Sequence, residues 1–157
     1  MPDIHHETFI EAPIERIFDL ARSIDVHKET LAKTNEQAIA GTTSGLMELG
    51  DWVTWRATHL GVRQKLTSKI TEMERPHRFS DEMVKGAFHS FVHTHEFIEL
   101  EGGTLMKERF SYRSPFGIIG KLADKLFLER YMTRFVVNRA HELKRIAEAP
   151  SGTNQSS

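Results

Sequence analysis

At 157 residues, with 39% hydrophobic and 27% charged side chains, the chain has the length and composition of one soluble domain with a buried core, which excludes a disordered polymer. Its 21 basic and 22 acidic residues leave a formal charge of -1, so no global field favours nucleic acid or an anionic membrane. The absence of cysteine excludes disulfides, thiolate nucleophiles and cysteine-based zinc sites.

The first eleven residues carry acidic groups and no apolar h-region, so they do not read as a signal peptide. No apolar run approaches the ~20 residues needed to span a bilayer. A cytoplasmic location is expected, consistent with a cysteine-free chain in a reducing compartment.

Ile4 to Glu11 alternates as a strand, with Ile4, His6, Thr8 and Ile10 on one face. Pro13 suits a first helical turn, and Ile14, Ile17, Phe18 and Ala21 follow at helical spacing. A second short helix is expected over Ser23 to Lys33, bent against the first. Thr34 to Ala40 reads as a strand. Asp51 to Leu60 and Val62 to Met73 read as long strands meeting at Gly61. Arg78 to Lys85 is the next, and His89 to Leu100 and Thr104 to Arg113 form a hairpin across Glu101-Gly102-Gly103. After Ser114-Pro115 the period becomes helical, and one long helix is expected from about Gly117 to Glu148. Ser151 to Ser157 is expected to be a disordered tail, leaving residues 1–148 as the single domain and 149–157 outside it. Short helices followed by hairpin-linked strands give an α+β architecture: a curved antiparallel sheet of about seven strands around a long C-terminal helix.

Four stretches carry a family resemblance. FIEAPIERIFDL (Phe9 to Leu20) resembles an opening in which a strand meets a proline and the first helix. GDWVTWRATHLGVRQKLTSKI, PHRFSDEMVKGAFHSFVHTHEF and SPFGIIGKLADKLFLERYMTRF are similar to segments of a bacterial branch without an assigned activity. With the order of elements, they resemble the START/Bet v 1-like superfamily, also called SRPBCC or polyketide cyclase/dehydrase-like, across residues 4–148. The resemblance implies a helix-grip fold around a small-molecule cavity. Its members include lipid carriers, hormone receptors, cyclases and hydratases, so it implies no single chemistry.

Strand alternation predicts which side chains face that cavity. Val53, Trp55, Ala57 and His59 form the less charged face of their strand. Gln64, Leu66, Ser68 and Ile70 oppose Arg63, Lys65 and Lys69 on the next. Phe79, Asp81 and Met83 are the inward set of the following strand. Phe91, His93, His95 and Phe97 share a face, as do Met106, Glu108, Phe110 and Tyr112. Leu126, Tyr131 and Phe135 of the long helix are expected to close the chamber. The result is an apolar lining with a histidine-carboxylate minority, the usual make-up of a small-molecule site.

That minority supports several readings. The leading one is binding or transport of a hydrophobic or aromatic small molecule, lipid- or polyketide-like, with no cofactor or metal required. The alternative is a cyclase, hydratase or dehydratase whose acid and base are drawn from His59, Asp81, His93, His95 and Glu108, for example as His59 with Asp81 or His95 with Glu108. His93-x-His95 with His59 and a carboxylate is also a candidate divalent-metal set, although an isolated H-x-H pair is unspecific. A homodimer through exposed sheet edges or loops is a further expectation. Lys121, Lys125, Arg130, Arg134 and Arg139 lie on the long helix with their positive charge offset by Asp124 and Glu129, so no nucleic-acid partner is expected. Neither a glycine-rich phosphate loop nor a G-x-S-x-G nucleophile turn is present.

Overall fold

The computed structural model describes residues 2–114 and 127–150. The order of elements is β1 (Asp3–Ile10), α1 (Ile14–Ala21), α2 (Ile24–Thr30), β2 (Gln37–Gly41), β3 (Trp52–His59), β4 (Val62–Glu74), β5 (Arg78–Lys85), β6 (Ser90–Leu100), β7 (Gly103–Arg113) and α3 (Glu129–Glu148). Among the described residues no helix is long and apolar enough to cross a membrane. The expectations for Gly117, Lys121, Asp124, Lys125 and Leu126, and for the Ser151–Ser157 tail, lie outside the described residues.

The strands form one antiparallel sheet in the order β1-β7-β6-β5-β4-β3-β2. Consecutive strands from β2 to β7 are neighbours, and β1 crosses over to pair with β7. Turn chemistry sets the hairpin registers. Leu60 and Gly61 both have positive φ, 54° and 77°, which places His59 opposite Val62 in a two-residue turn. Between β6 and β7 the turn is Glu101-Gly102, with φ of 83° at Gly102. Gly103 already belongs to β7, where a Cβ would stand 2.3 Å from the Ile10 carbonyl oxygen. The β4–β5 pairing carries two register shifts, one leaving Val84 of β5 and the other Thr71 of β4 without an opposite residue, and such bulges bend a sheet.

Alternation in the strands becomes inside and outside in the fold. Val53, Trp55 and Ala57 are buried, while Trp52 on the opposite face is 45% exposed. Helix α1 buries Ile14, Ile17, Phe18 and Ala21 after Pro13, and the Ser23 hydroxyl caps α2 by accepting from the Val26 amide at 3.2 Å. The second helix is shorter than its sequence predicts. It ends at Thr30, and a 3-10 turn over Ala32–Thr34 closes on Asn35 in the left-handed region, so β2 starts only at Gln37.

A π-helical turn at 127–128 leads into α3, whose twenty residues span ~30 Å against the concave face. The core divides into two clusters. One gathers Ile10, Ile17, Phe18, Phe79, Phe97, Met106 and Leu143 under α1 and α2. The other gathers Ile4, Phe91, Phe110, Tyr112, Met132 and Val136. Arg139 of α3 is only 8% exposed, where the helix packs beneath α1 and its Nη2 donates to the Ala21 carbonyl.

Candidate functional site

Between the sheet and the first half of α3 lies a cavity of about 440 Å³. Its walls are aromatic and aliphatic: Trp55, Leu66, Phe88, Phe91 and Phe110 from the strands and the β5–β6 connection, and Leu128, Tyr131, Met132 and Phe135 from the helix side. The polar minority comprises His27, Glu36, His59, Gln64, Ser68, Asp81, His93, Ser114 and the Tyr131 hydroxyl. At its inner end, His27, Trp55, Ser68, Asp81 and His93 are shared with a small chamber of about 70 Å³ that also touches Phe79, His95 and Arg139.

Of the side chains that alternation placed inward, Trp55, His59, Gln64, Leu66, Asp81, Phe91, His93, Phe110, Tyr131 and Phe135 line the large cavity. Phe79 and His95 reach only the small chamber. Phe97 and Tyr112 are closed in the core, Met83 is half-buried against the second cluster, and Glu108 is buried behind the histidines. Leu126 lies outside the described residues.

Two polar groupings stand on the cavity wall. In the first, His59 Nδ1 and the Tyr131 hydroxyl are 2.7 Å apart, and His59 Nε2 is 3.9 Å from Glu36 Oε2. His27 Nε2 is 3.6 Å from the other Glu36 oxygen, and its ring lies tilted on Trp55 with centroids 4.3 Å apart. Burial pushes the Glu36 carboxyl up to about 7, against the lowering effects of a Thr34 hydrogen bond and the Arg139 charge. Burial also pushes His59 below its ordinary value and His27 well below. Near neutral pH this grouping therefore holds two neutral imidazoles beside a carboxyl close to half ionised.

The second grouping is built by strand register. Asp81 on β5 faces His93 on β6, and His95 on β6 faces Glu108 on β7. His93 Nε2 donates to Glu108 Oε2 at 3.0 Å, while His95 Nδ1 lies 3.9 Å from the same oxygen. His95 Nε2 is 3.8 Å from Asp81 Oδ1, beyond hydrogen-bonding reach. Burial alone would raise the Glu108 carboxyl; the His93 hydrogen bond, with His95 and Arg139 nearby, outweighs it and holds the group down to about 2. Burial pushes the Asp81 carboxyl up, and it accepts no side-chain hydrogen bond among the described residues. The structure thus joins His95 to Glu108 and Asp81, and His59 to Tyr131 and Glu36 rather than to Asp81.

Sequence reasoning missed His27, Glu36 and Arg139. Glu36 falls in the irregular segment before β2, where alternation gives no direction. His27 is on the inner side of a helix only seven residues long, too short for a clear apolar stripe. Arg139 had a usable signal: it stands three residues after Val136, one before Ala140 and four before Leu143, all on the buried stripe of α3.

Residues 1–148 match the family model described as polyketide cyclase / dehydrase and lipid transport. No curated protein sequence matched the chain. Among solved structures, TTHA0849 from Thermus thermophilus superposes with a TM-score of 0.79 at 22% identity, over 96% of this chain and 100% of that one. Major latex-like protein 151 from Panax ginseng gives 0.70 at 12% identity, over 94% and 98%. Ara h 8.0201 gives 0.69 at 10% identity, over 93% and 97%. At such identities the likeness establishes the fold alone.

Proposed function

Because the chain belongs to the polyketide cyclase/dehydrase and lipid-transport family, we propose that it binds a hydrophobic or aromatic small molecule between its sheet and α3. One observation carries this reading: a cavity of about 440 Å³ whose walls are set by Trp55, Phe88, Phe91, Phe110, Tyr131 and Phe135. That volume lies within the ~300–1,000 Å³ typical of small-molecule sites. Burying apolar ligand surface there yields roughly 25 cal/mol per Å². The polar groupings at its edge select a ligand that is apolar over most of its length and carries a hydrogen-bonding end.

The test is retention and stabilisation. Native mass spectrometry and thermal-shift assays against fatty acids and fused-ring aromatic phenols should yield a ligand that raises Tm in proportion to its occupancy. Leu66→Trp, which fills the cavity with an indole, should abolish that shift while the apo protein stays folded. No ligand across either class, or a shift that survives Leu66→Trp, overturns the reading.

A second reading is a cyclase, hydratase or dehydratase using the same chamber, favoured by the His59–Tyr131 pair with Glu36 beside it on the cavity wall. Here His59 is the base and the Tyr131 hydroxyl the proton donor to a bound carbonyl. With a ligand in hand, His59→Gln should leave affinity within a few-fold and remove turnover; unchanged turnover sinks this assignment.

A further inference from the structure

His95 is 2% exposed, yet its Nδ1 has no hydrogen-bond partner and its Nε2 stops 3.8 Å short of Asp81. Leaving a buried polar group unsatisfied is destabilising, so a group left this way wants a reason. Its neighbours supply one. Asp81, His93 and His95 each present a ligand atom, and the three atoms lie within 4.8 Å of one another.

We propose that Asp81, His93 and His95 bind a divalent first-row transition ion, of which zinc is the reference case, at the junction of the two chambers. Two imidazoles and one carboxylate are a recurrent ligand set for zinc and for iron(II). Ligand atoms around an ion with ~2.1 Å bonds stand about 3.4 Å apart, so small χ rotations draw these three side chains into range. His93 and His95 are two residues apart on one strand, and Asp81 faces His93 across the β5–β6 ladder. The backbone therefore fixes all three on the same patch of sheet.

Glu108 sits where an outer carboxylate belongs. Its Oε2 accepts from His93 Nε2 at 3.0 Å and lies 3.9 Å from His95 Nδ1. That leaves His93 Nδ1 and either nitrogen of His95 available to an ion. Carboxylates behind metal-bound imidazoles fix their tautomer and orientation in this way. The chemistry also suits a dication: Asp81 and Glu108 bring two carboxyl groups to the two imidazoles, against one guanidinium on Arg139 across the small chamber. Asp81 and His93 line the large cavity as well, so the ion's remaining positions face the space a small molecule would fill. His59, bonded to Tyr131, is not part of the set.

The inference stands apart from the ligand reading, because the experiment uses the metal alone. Tag-free protein is stripped with a chelator, dialysed, and titrated with Zn²⁺ by calorimetry and with Co²⁺ by visible absorption. The expected result is one equivalent bound, with affinity falling at least ~100-fold in Asp81→Asn and in His95→Gln. Glu108→Gln should weaken binding about 10–100-fold while keeping the Co²⁺ spectrum. His77→Ala, which removes a histidine in the turn between β4 and β5, should change nothing. In the wild type, one equivalent of Zn²⁺ should shift the imidazole resonances of His93 and His95, a readout that needs no variant to fold. No saturable binding, binding that survives Asp81→Asn and His95→Gln, or shifts confined to His5, His6 and His141 would each overturn the site.

Discussion

The Tyr131 hydroxyl lies 2.7 Å from His59 Nδ1, tying α3 to β3 across 72 residues of sequence. The tyrosine ring also meets the imidazole edge-on, with centroids 5.9 Å apart, and Phe135 approaches the same imidazole at 5.3 Å. The histidine thus gives the end of β3 a polar and an aromatic contact with the helix.

Removing that hydroxyl should loosen the helix without emptying the core. Tyr131→Phe is expected to cost about 1 kcal/mol, the net worth of a typical hydrogen bond, since both partners are only half-buried. Urea unfolding of the two proteins side by side measures the difference. Hydrogen exchange in the first turns of α3 should rise in step. A loss far above this size would mean that the ring contacts had gone as well.

Glu36 gives the fold a pH dependence of definite sign. Its carboxyl is raised by burial from an ordinary 4.5 to about 7, so folding favours its protonated form. The stability it contributes is fully present below the unfolded value and lost as pH rises through the folded one, a window of roughly pH 4.5 to 7. Glu36→Gln, which keeps the neutral shape, should therefore match the wild type near pH 4.5. Near pH 8 it should be more stable by up to about 3 kcal/mol. His27 and His59 act with the opposite sign. Burial lowers them, so they withdraw stability as pH falls below about 6.5 in both proteins, and the difference between variant and wild type isolates Glu36. Denaturation midpoints taken at several pH values test this; a difference constant with pH sinks it.

The legibility of these features follows the physics of each element. Strand alternation has a period of two, so a correct parity places side chains on their side of the sheet wherever no register shift intervenes. Val53, Ile70, Phe97 and Met106 are buried accordingly, whereas Met73, past the shift in β4, packs on the core against that parity. Hairpin glycines mark the turns at Gly61 and Gly102 because those backbones need positive φ. Convergence between strands was not legible. Parity puts His93, His95, Asp81 and Glu108 on one face, but only the register of β5 on β6 and β6 on β7 brings them together, while His59 at the end of β3 meets Tyr131. For Arg139 charge alone points to solvent, whereas its place in the helical stripe points inward, and the stripe wins. In the structure the guanidinium is partly met by the Ala21 carbonyl at the C-terminal end of α1.

The two ends of the core should respond differently to the same truncation. Phe18 is buried beneath α1, with edge-to-face contacts to Phe79 at 5.5 Å and Phe97 at 5.6 Å. Phe18→Ala leaves a void closed on all sides and should cost about 3–5 kcal/mol. Phe91 borders the existing cavity, so its ring already lacks packing partners on one side. Phe91→Ala should cost roughly half as much while enlarging the chamber and changing which ligands stabilise the protein. Equal losses in urea denaturation would mean that the cavity wall is packed as tightly as the closed end.

The β6–β7 turn offers a contrast between two adjacent glycines. At Gly102 a side chain would meet no atom within 4 Å, and the obstacle is the φ of 83° alone. Gly102→Ala should therefore cost about 1–2 kcal/mol, the penalty of a left-handed residue. At Gly103 the conformation is permissive, but an added Cβ would stand 2.3 Å from the Ile10 carbonyl oxygen and 3.1 Å from the Glu11 Cα. That oxygen belongs to the backbone of β1 and cannot rotate aside. Gly103→Ala must push the end of β1 off β7, where Ile10 pairs with Thr104, and should cost about 1–3 kcal/mol or more by overpacking. The distinguishing measurement is local. Amide exchange should rise across the Phe9–Ala12 stretch in Gly103→Ala and stay at the wild-type rate there in Gly102→Ala, with the lost stability of Gly102→Ala spread over the whole sheet.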